Sequence, residues 1–490
     1  MNHSGDPLRA VRLAKLDQLK TLGINPYPYS FARTHEAAEL EKRHAGLTAG
    51  AETDELVRVA GRIRAIRNSG MFIDLHDASG KIQIFCHRDF LTAEGLTVVR
   101  LLDIGDLIGI GGLIRRTPRG ALTVNAAAVV VLAKTLRPLP EKFHGLADVE
   151  LRHRQRYLDL IMNPESRETL RRRSRVVTAM RRHLVERGYL EVETPMLHMI
   201  PGGASAKPFV THHNALDTDL FLRIAPELHL KRLLVGGLAD KVFEINRCFR
   251  NEGLSPRHNP EFTSLELYEA YVDYTAMMRL TEELIAVVSE SVLGTRRVAY
   301  GGVGIDLSPP WPRRSMAELV SAATGIDFLA LAGAEEARGA AASLGVQLTG
   351  SESWGQALEA AFAARVEDTL IEPIHVTGFP RDISPLAKAD RADPRLAERF
   401  ESYIYGWEIT NAFSELTDPQ DQRARFEAQM QARAAGDEEA QPLDEDYVTA
   451  LEYGLPPCGG LGIGVDRLVM LLTDSPSIRD VIAFPTLRPR

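Results

Sequence analysis

Residues 241–271 combine strand periodicity with a dense set of polar side chains that could do chemistry. Two β-patterned runs flank a polar loop at residues 251–261. Because side chains alternate along a strand, one face of the second run carries Phe262, Ser264, Glu266, Tyr268 and Ala270, and one face of the first carries Glu244, Asn246 and Arg250. Burying an arginine, carboxylates and an aromatic ring together is costly unless they line a wet cavity. The pattern therefore predicts a functional cavity, and a solvated outer face is the alternative.

Five short runs between Leu56 and Leu132 predict a small β-barrel. They are rich in Val, Ile and Phe, and they are Val57–Ile66, Met71–His76, Lys81–Cys86, Leu107–Ile114 and Leu122–Leu132. Turn signals at residues 77–80 and 117–120 separate neighbouring runs. An OB-fold is the natural five-stranded candidate, and its usual work is to hold single-stranded nucleic acid through stacking and a basic groove.

The charge distribution favours a part of the chain that binds a polyanion. The formal net charge of −8 does not by itself indicate a nucleic-acid-binding protein. Residues 55–140, however, hold 12 Lys or Arg against 7 Asp or Glu, so this part is basic and the remainder is acidic. A basic module on an acidic body is typical of proteins that hold a polyanion with one part. A chance fluctuation is the alternative.

The length of 490 residues predicts two or three domains. We expect an N-terminal helical extension at residues 1–54, the barrel domain at 55–140 and a larger domain at 141–490. In the larger domain, Asn163-Pro164-Glu165 has the form of a helix start. The Ala- and Gly-rich part at about 298–370 predicts a helical insertion.

Composition argues against several classes of protein. The three cysteines, Cys86, Cys248 and Cys458, are far apart and form no C-x-x-C pair, which argues against a disulfide framework or a zinc ribbon and favours a reducing compartment. The longest nearly apolar run, residues 126–133, is far short of the roughly 20 residues that a membrane helix needs. The N-terminus lacks the apolar segment of a signal peptide. We therefore expect a cytoplasmic protein without a membrane partner.

Three motifs follow one another along the chain. The first is a long helix ending in GYLEVETP at residues 188–195. The second is the hairpin described above, with FRNE at 249–252 and RHNPEF at 257–262. The third is GLGIGVDR at 460–467. Together with IPGGASAKPF at 200–209, these motifs resemble those of the class II aminoacyl-tRNA synthetases, and specifically the bacterial-type lysyl enzymes, over nearly the whole chain.

The resemblance implies an α+β protein, in which an N-terminal OB-fold β-barrel precedes a class II antiparallel-sheet catalytic domain with helices. It implies a ligase that joins an amino acid to the α-phosphorus of ATP, expels pyrophosphate and passes the adenylate to the 3′ end of tRNA. Such a reaction needs positioning and charge neutralisation more than an enzyme nucleophile. The residues that the resemblance implies at the ATP site are Arg250, Glu252, His258, Asn259, Phe262, Glu401, Glu408 and Arg467.

Roles within this set follow from the family and from the chemistry of the side chains. The two catalytic candidates are arginines: Arg250 would hold the α-phosphate as a bidentate fork, and Arg467, at a helix start, would meet the γ-phosphate. Glu401 and Glu408 resemble the family's metal ligands, whose hard oxygens suit Mg²⁺ bridging to phosphates. Strand alternation places Glu408 on the face opposite to Asn411. Either a bulge therefore interrupts the strand, or the metal site includes residues from another face.

The resemblance also implies a lysine site, made of Gly203, Glu227, Glu266, Tyr268, Asn411, Phe413 and Glu415. Glu266 and Glu415, with the Tyr268 hydroxyl, would form an acidic pocket for an ε-ammonium group. Glu227 would take the α-amino group. Aspartyl and asparaginyl enzymes share the same plan but need a donor-rich pocket, and two glutamates would repel aspartate. The resemblance therefore favours lysine.

In the barrel, Phe72 and Gln83 resemble anticodon-binding residues, the first by stacking on a base and the second by hydrogen bonding to one. Arg62 and Arg64 are plausible contacts to the RNA backbone. A position in the barrel core is the alternative for Phe72. The implied partners are tRNA(Lys), lysine and ATP, and the family implies a homodimer.

Three other interpretations are weighed against this one. The first is an aspartyl or asparaginyl-type synthetase, which the glutamate pair disfavours. The second is a lysine ligase that modifies a protein, similar to the elongation factor P lysylating paralogues, but those lack an N-terminal barrel. The third is a nucleic-acid-binding protein with an inactive synthetase domain, which the presence of Arg250, Glu252 and Arg467 disfavours.

Overall fold

The five runs expected to be strands form a closed barrel in the computed structural model, which describes residues 7–140, 146–434 and 442–489. The barrel strands are β1 (Glu52–Arg67), β2 (Phe72–His76), β3 (Lys81–Phe85), β4 (Leu107–Arg116) and β5 (Leu122–Ala133). They hydrogen-bond in the order β1-β2-β3-β5-β4, with β3 and β5 parallel. The predicted five-stranded barrel is confirmed.

Alternation along the strands builds the barrel core. Ile73 and Leu75 of β2 and Ile84 of β3 are buried, whereas the intervening side chains are only partly covered. The barrel unit also contains three helices, namely α1 (Pro7–Thr21), α2 (Ala37–Arg43) and α3 (Ala93–Leu101). Leu19 of α1 and Leu40 of α2 join the barrel core, so the N-terminal helices and the barrel share one hydrophobic core.

The second compact unit begins at Leu146. Its strands are β6 (Leu190–Glu191), β7 (Leu197–His198), β8 (Val210–His213), β9 (Thr218–Leu222), β10 (Lys241–Phe249), β11 (Glu261–Ala270), β12 (Arg297–Tyr300), β13 (Val303–Asp306), β14 (Arg313–Ser315), β15 (Ile374–Pro380), β16 (Leu396–Ile404), β17 (Trp407–Ser414) and β18 (Cys458–Gly464). Its helices are α4 (Val149–Arg154), α5 (Arg156–Met162), α6 (Pro164–Glu186), α7 (Glu227–Val235), α8 (Tyr274–Leu293), α9 (Met316–Thr324), α10 (Ala334–Ser343), α11 (Trp354–Arg365), α12 (Pro419–Ala434), α13 (Glu445–Glu452), α14 (Val465–Thr473) and α15 (Ile478–Val481).

An eight-stranded sheet organises this unit, in the order β14-β15-β16-β17-β18-β11-β10-β6. All neighbours are antiparallel except the two edge pairs, β14 with β15 and β10 with β6. Helices α6, α8 and α14 pack on one face and bury the largest core cluster, which includes Met180, Leu284 and Leu468. The predicted α+β fold with an antiparallel sheet is confirmed.

The expected helical insertion at 298–370 is wrong in its first part. Residues 297–306 form the β12–β13 hairpin, and β14 pairs in parallel with β15 at the edge of the large sheet. Helices α9, α10 and α11 follow and share a core cluster of their own. The reason for the error is a two-glycine turn: Gly301 and Gly302 both have positive φ, as the tight turn of a hairpin requires.

All three cysteines are free and buried. Burial raises the pKa of Cys86 to about 12, and burial followed by the charge of Glu266 does the same for Cys248. Burial also raises the pKa of Cys458. These thiols are therefore protonated, buried packing residues. They lack the thiolate character that catalysis or metal binding needs.

Among the described residues, no helix has both the length and the apolar character that a membrane crossing requires.

Candidate active site

A cavity of about 720 Å³ lies over the centre of the large sheet, where β17, β18 and β11 are neighbours. The structure gathers around it every residue that the sequence predicted for ATP, metal and lysine. These are Gly203, Glu227, Arg250, Glu252, His258, Asn259, Phe262, Glu266, Tyr268, Glu401, Glu408, Asn411, Phe413, Glu415 and Arg467. Their individual roles remain predictions.

Arg250 directly follows β10, where its backbone N–H donates to Pro260 O at 2.9 Å and closes the hairpin loop. Its guanidinium carbon lies 5.1 Å from the centre of the Phe262 ring. Its Nε is buried and has no hydrogen-bond partner among the described residues. A partly buried guanidinium with an unused donor at a cavity wall is suited to bind an anion.

Arg467 is the third residue of α14, which begins where the glycine-rich strand β18 ends. Its Nη1 donates to the backbone oxygen of Glu408 at 2.8 Å and to its carboxylate at 3.0 Å, and its Nη2 lies 3.1 Å from His258 Nε2. The preceding residue, Asp466, accepts a hydrogen bond from the Thr263 N–H at 2.7 Å and pairs with Arg173 of α6. The start of α14 is therefore fixed to β11 and α6 beside the cavity.

A bulge in β17 accounts for the position of Glu408. Ser402 pairs with Thr410 and Tyr403 with Glu408, so Ile409 is the extra residue between the two pairs. A bulge reverses side-chain parity along the strand. Glu408 and Asn411 therefore both line the cavity, which resolves the question that strand alternation left open.

Glu401 and Glu408 form the acidic part of the cavity near Arg467. Arg399 Nη2 donates to one Glu401 oxygen at 2.5 Å, and the Tyr403 hydroxyl donates to the other at 2.6 Å. Burial, and after it the carboxylate of Glu408, raises the pKa of Glu401 to about 7 against the effect of Arg399. Two carboxylates that repel each other fit a divalent cation.

The number and type of the metal-binding side chains indicate which cation the site suits. Among the described residues, no three His, Cys, Asp or Glu side chains are grouped as a metal cluster. A pair of carboxylates that leaves other positions to water and phosphate oxygens is the usual protein contribution to a Mg²⁺ site. Glu401 and Glu408 therefore fit a Mg²⁺ ion that is held together with a nucleotide.

A second acidic group closes the opposite part of the cavity. Glu227, Glu266 and Glu415 are all buried there. The Tyr268 hydroxyl donates to Glu266 at 3.3 Å. Burial, followed by the charge of Glu227, raises the pKa of Glu266 to about 8. Three buried carboxylates in one pocket are suited to bind a cationic ligand.

Glycines make room for these side chains. Gly203 has φ +89°, and a Cβ there would lie 3.0 Å from Glu227 Cβ. A Cβ on Gly460 of β18 would overlap Oε1 of Glu415 and lie 2.5 Å from Cε1 of Tyr268. The glycine-rich strand therefore lets the pocket wall approach the sheet closely.

Lys231 was not predicted from the sequence as a site residue, and it lies on α7 one turn after Glu227. Its Nζ is 2.5 Å from Oε1 of Glu227 and also pairs with Glu415. The spacing of Glu227 and Lys231, four residues apart on a helix, is a signal that could have found the first pair. The partnership with Glu415 depends on the tertiary fold and has no local signal.

The face of the hairpin is divided between the cavity and a buried network. Glu244 and Asn246 do not line the cavity, although strand alternation places them on the face with Arg250. Instead, Glu244 accepts from Arg223 Nη1 at 2.8 Å and from the Thr194 hydroxyl at 2.7 Å. The cost of burying Glu244 is thus offset by an ion pair rather than by a wet cavity.

In the barrel unit, Phe72 and Gln83 lie on neighbouring strands outside the core, because their neighbours Ile73 and Ile84 fill it. Gln83 accepts from the Thr123 hydroxyl at 3.0 Å. Phe85 was not predicted as part of this site. Its ring centre is 5.1 Å from that of Phe72, and its side chain lies on the same face of β3 as that of Gln83. A core position for Phe72 is thereby excluded.

The two predicted arginines of the barrel lie on β1. Arg62 is half-buried and donates to Gly105 O at 2.8 Å. Arg64 falls where the pairing with β2 shifts register. Arg115 stacks over Phe85 at 4.3 Å and adds a cation to this surface. Phe72, Phe85 and Arg115 therefore combine aromatic rings with a cation, as single-stranded nucleic-acid sites do. Arg62 pairs with His76, at the other end of β2 from Phe72.

Two family models match the chain, one in each unit. The family model of class II tRNA synthetases (D, K and N) matches residues 148–488. The model of the OB-fold nucleic acid binding domain matches residues 57–132.

Similar proteins include the lysine–tRNA ligase of Rhizobium meliloti (strain 1021), 54% identical over 480 residues that cover 98% of this chain and 96% of that protein. The lysine–tRNA ligase of Carboxydothermus hydrogenoformans is 55% identical over 482 residues, 98% of each chain. That of Synechococcus sp. (strain CC9605) is 55% identical over 489 residues, which cover 98% of this chain and 97% of that protein.

Proposed function

The chain belongs to the class II tRNA synthetases (D, K and N), and from that membership we propose that it is a lysine–tRNA ligase. It activates lysine with ATP and transfers the lysyl group to the 3′ end of tRNA(Lys). The observation that carries this proposal is the cavity lined by Arg250 and Arg467 at one part and by three buried carboxylates at another. Three free cysteines support a cytoplasmic location for the reaction.

Activation requires the lysine carboxylate to attack the α-phosphorus of ATP while pyrophosphate leaves. Arg250 binds the α-phosphate and neutralises the charge that develops there. Arg467 binds the γ-phosphate at the N-terminus of α14, where the helix dipole also favours an anion. Mg²⁺, held by Glu401 and Glu408, supplies charge neutralisation to the phosphates when bound.

The adenine part of ATP lies against the Phe262 ring in this proposal. Glu252 and His258 line the same part of the cavity and supply polar contacts. Asn259 is buried, and its Oδ1 has no hydrogen-bond partner among the described residues. An unused acceptor at this position supports a role in binding the nucleotide.

Lysine specificity follows from the charge of the pocket. Glu266 and Glu415 attract the ε-ammonium, and Glu227 attracts the α-ammonium. Gly203, Asn411 and Phe413 complete the contacts to the rest of the substrate. An aspartate side chain would meet buried carboxylates and would have to be protonated or excluded, which disfavours the aspartyl and asparaginyl alternative.

The test is ATP–pyrophosphate exchange with Mg²⁺ and each standard amino acid in turn. Exchange driven by lysine alone is the expected result. Exchange driven by aspartate or asparagine would contradict the assignment of the pocket. No exchange with any amino acid would favour an inactive synthetase domain.

The barrel binds the anticodon in this proposal, through Phe72, Gln83, Arg62 and Arg64.

Replacing Phe72 with alanine is expected to raise the KM for tRNA(Lys) in aminoacylation by about tenfold, since stacking on one base contributes roughly 1–3 kcal/mol. Lysine-driven exchange needs no tRNA and serves as the internal control. An unchanged KM for tRNA would show that the ring does not contact a base.

A homodimer is the proposed assembly. Apolar side chains are exposed along the short strands and loops that follow α6, including Leu190, Leu197, Met199 and Val210. Exposed apolar patches of this kind are typical of interaction surfaces. Light scattering is expected to give twice the mass of one chain, and a value equal to one chain would contradict the proposal.

A further inference from the structure

Lys231 lies just behind the wall of the acidic pocket. Its side chain is fully buried, and its ammonium joins Glu227, at 2.5 Å, to Glu415. The same ammonium lies over the rings of Tyr268, at 5.7 Å, and Phe413, at 5.4 Å. Lys231 itself does not line the cavity, whereas these four partners do.

The cation and the two carboxylates control one another's charge. Burial alone would lower the pKa of Lys231, but Glu227 and Glu415 raise it well above its usual value, so this lysine stays charged. Burial raises the pKa of both carboxyl groups, and Lys231 opposes that rise in each. Without Lys231, the pocket would hold buried carboxylates and no adjacent ammonium, and they would take up protons.

The carboxylate of Glu415 is incompletely satisfied in this arrangement. Lys231 forms an ion pair with Oε2, but both oxygens are buried without a hydrogen-bond partner among the described residues, and Oε1 has no ion-pair partner there either. Oε1 occupies the space where a side chain on Gly460 would begin, and Gly460 also lines the cavity. A buried carboxylate oxygen without a donor is costly unless a ligand supplies one.

From this geometry we propose that Lys231 is a positioning residue that sets the charge of the substrate pocket. It favours the ionised forms of Glu227 and Glu415 and leaves Oε1 of Glu415 available to the ε-ammonium of lysine. The inference rests on the proposed function, because it names lysine as the ligand. Lys231 acts through the two glutamates and does not touch the substrate.

Groups from several elements act on this centre and must be considered in any pH dependence. They are Glu227 on α7, Glu266 and Tyr268 on β11, Arg399 on β16, Glu415 after β17, Tyr447 on α13 and Cys458 on β18. Of these, Glu266 has its pKa raised to about 8 by burial and then by the charge of Glu227. Because Lys231 acts on Glu227, Glu266 titrates together with the two glutamates that Lys231 pairs with, and the ratio of variant to wild-type KM reports on all three carboxyl groups.

The test is the variant Lys231→Met, compared with the wild-type full-length chain in lysine-driven exchange. At pH 7 the KM for lysine is expected to rise about tenfold or more, the scale of one lost hydrogen bond between charged groups, because a protonated carboxyl group attracts an ammonium less. The KM for ATP should stay unchanged. The ratio of variant to wild-type KM for lysine should fall as the pH is raised, because a higher pH favours the ionised carboxyl groups that Lys231 otherwise stabilises.

The chain offers a matched control in the barrel unit. Lys134 is also fully buried and joins two carboxylates, Asp103 at 2.5 Å and Asp106 at 2.7 Å. Lys134→Met should lower the melting temperature, because it leaves buried carboxylates unpaired. It should leave the KM for lysine unchanged at every pH.

The outcomes separate the inference from the proposed function. A wild-type chain without lysine-driven exchange would overturn the proposed function and the inference with it. A wild-type chain with such exchange, together with a pH-independent ratio or an unchanged KM in Lys231→Met, would overturn the inference alone. If Lys231→Met does not fold, Lys231→Gln, which keeps a hydrogen-bond donor but no charge, carries the same comparison.

Discussion

Replacing Arg250 with alanine is expected to lower lysine-driven ATP–pyrophosphate exchange by about 10³-fold or more, the scale on which charge-stabilising arginines contribute to phosphoryl transfer. Arg250 lies over Phe262, and its buried Nε has no hydrogen-bond partner among the described residues. Its removal therefore breaks no hydrogen bond of that nitrogen, and Arg223 remains to oppose the raised pKa of the buried Glu266, as both arginines do in the wild-type chain. The fold should survive, and the melting temperature should stay close to that of the wild-type chain.

Arg247, on the same hairpin, is the matched control for Arg250. It donates to the Thr263 hydroxyl at 2.6 Å and lies 3.4 Å from Glu261, and it does not line the cavity. Arg173 also donates to Thr263, so this hydroxyl keeps a partner when Arg247 is lost. Arg247→Ala should retain most of the exchange activity. Normal exchange in Arg250→Ala would remove Arg250 from its role at the α-phosphate.

The second large effect is expected from one added methyl group. Gly460→Ala should raise the KM for lysine roughly 100-fold, since overpacking of this kind costs about 1–3 kcal/mol and about 1.4 kcal/mol corresponds to tenfold. The new Cβ would overlap Oε1 of Glu415 and press on Tyr268. Both side chains belong to the proposed ε-ammonium pocket, so the KM for ATP should change far less.

Gly462 on the same strand provides the comparison. A Cβ there would meet its nearest neighbours at 3.6 Å and 3.8 Å, which are ordinary contacts. Gly462→Ala should therefore raise the KM for lysine much less than Gly460→Ala. Equal effects of the two substitutions would show that the close approach to Glu415 is not what limits lysine binding.

Much of the fold could be predicted from local patterns. The barrel strands β2 and β3 show regular alternation, and the hairpin of β10 and β11 has two β-patterned runs around a polar loop. Alternation also placed Phe262, Glu266 and Tyr268 on one face, and all three line the cavity. The β12–β13 hairpin was predictable in principle, because its two glycines mark the turn.

The rest depended on contacts between distant parts of the chain. Strand alternation could not locate the extra residue at Ile409, because a bulge is defined by the pairing of two strands. Nor could it reveal that Arg223 neutralises Glu244 or that Lys231 joins Glu415 to Glu227. The sign and number of charges in a buried pocket are a tertiary property, whereas the residue types that line it are a local one.

The buried cysteines have a practical consequence for measuring local stability. In the folded chain no cysteine is exposed to thiol reagents, because Cys86 follows β3, Cys248 lies within β10 and Cys458 begins β18, all of them covered. A reagent reacts with each thiol only when its surroundings open. The three labelling rates therefore report separately on the transient opening of the barrel, the hairpin and the central strand. The native sequence supplies all three probes, so no cysteine has to be introduced.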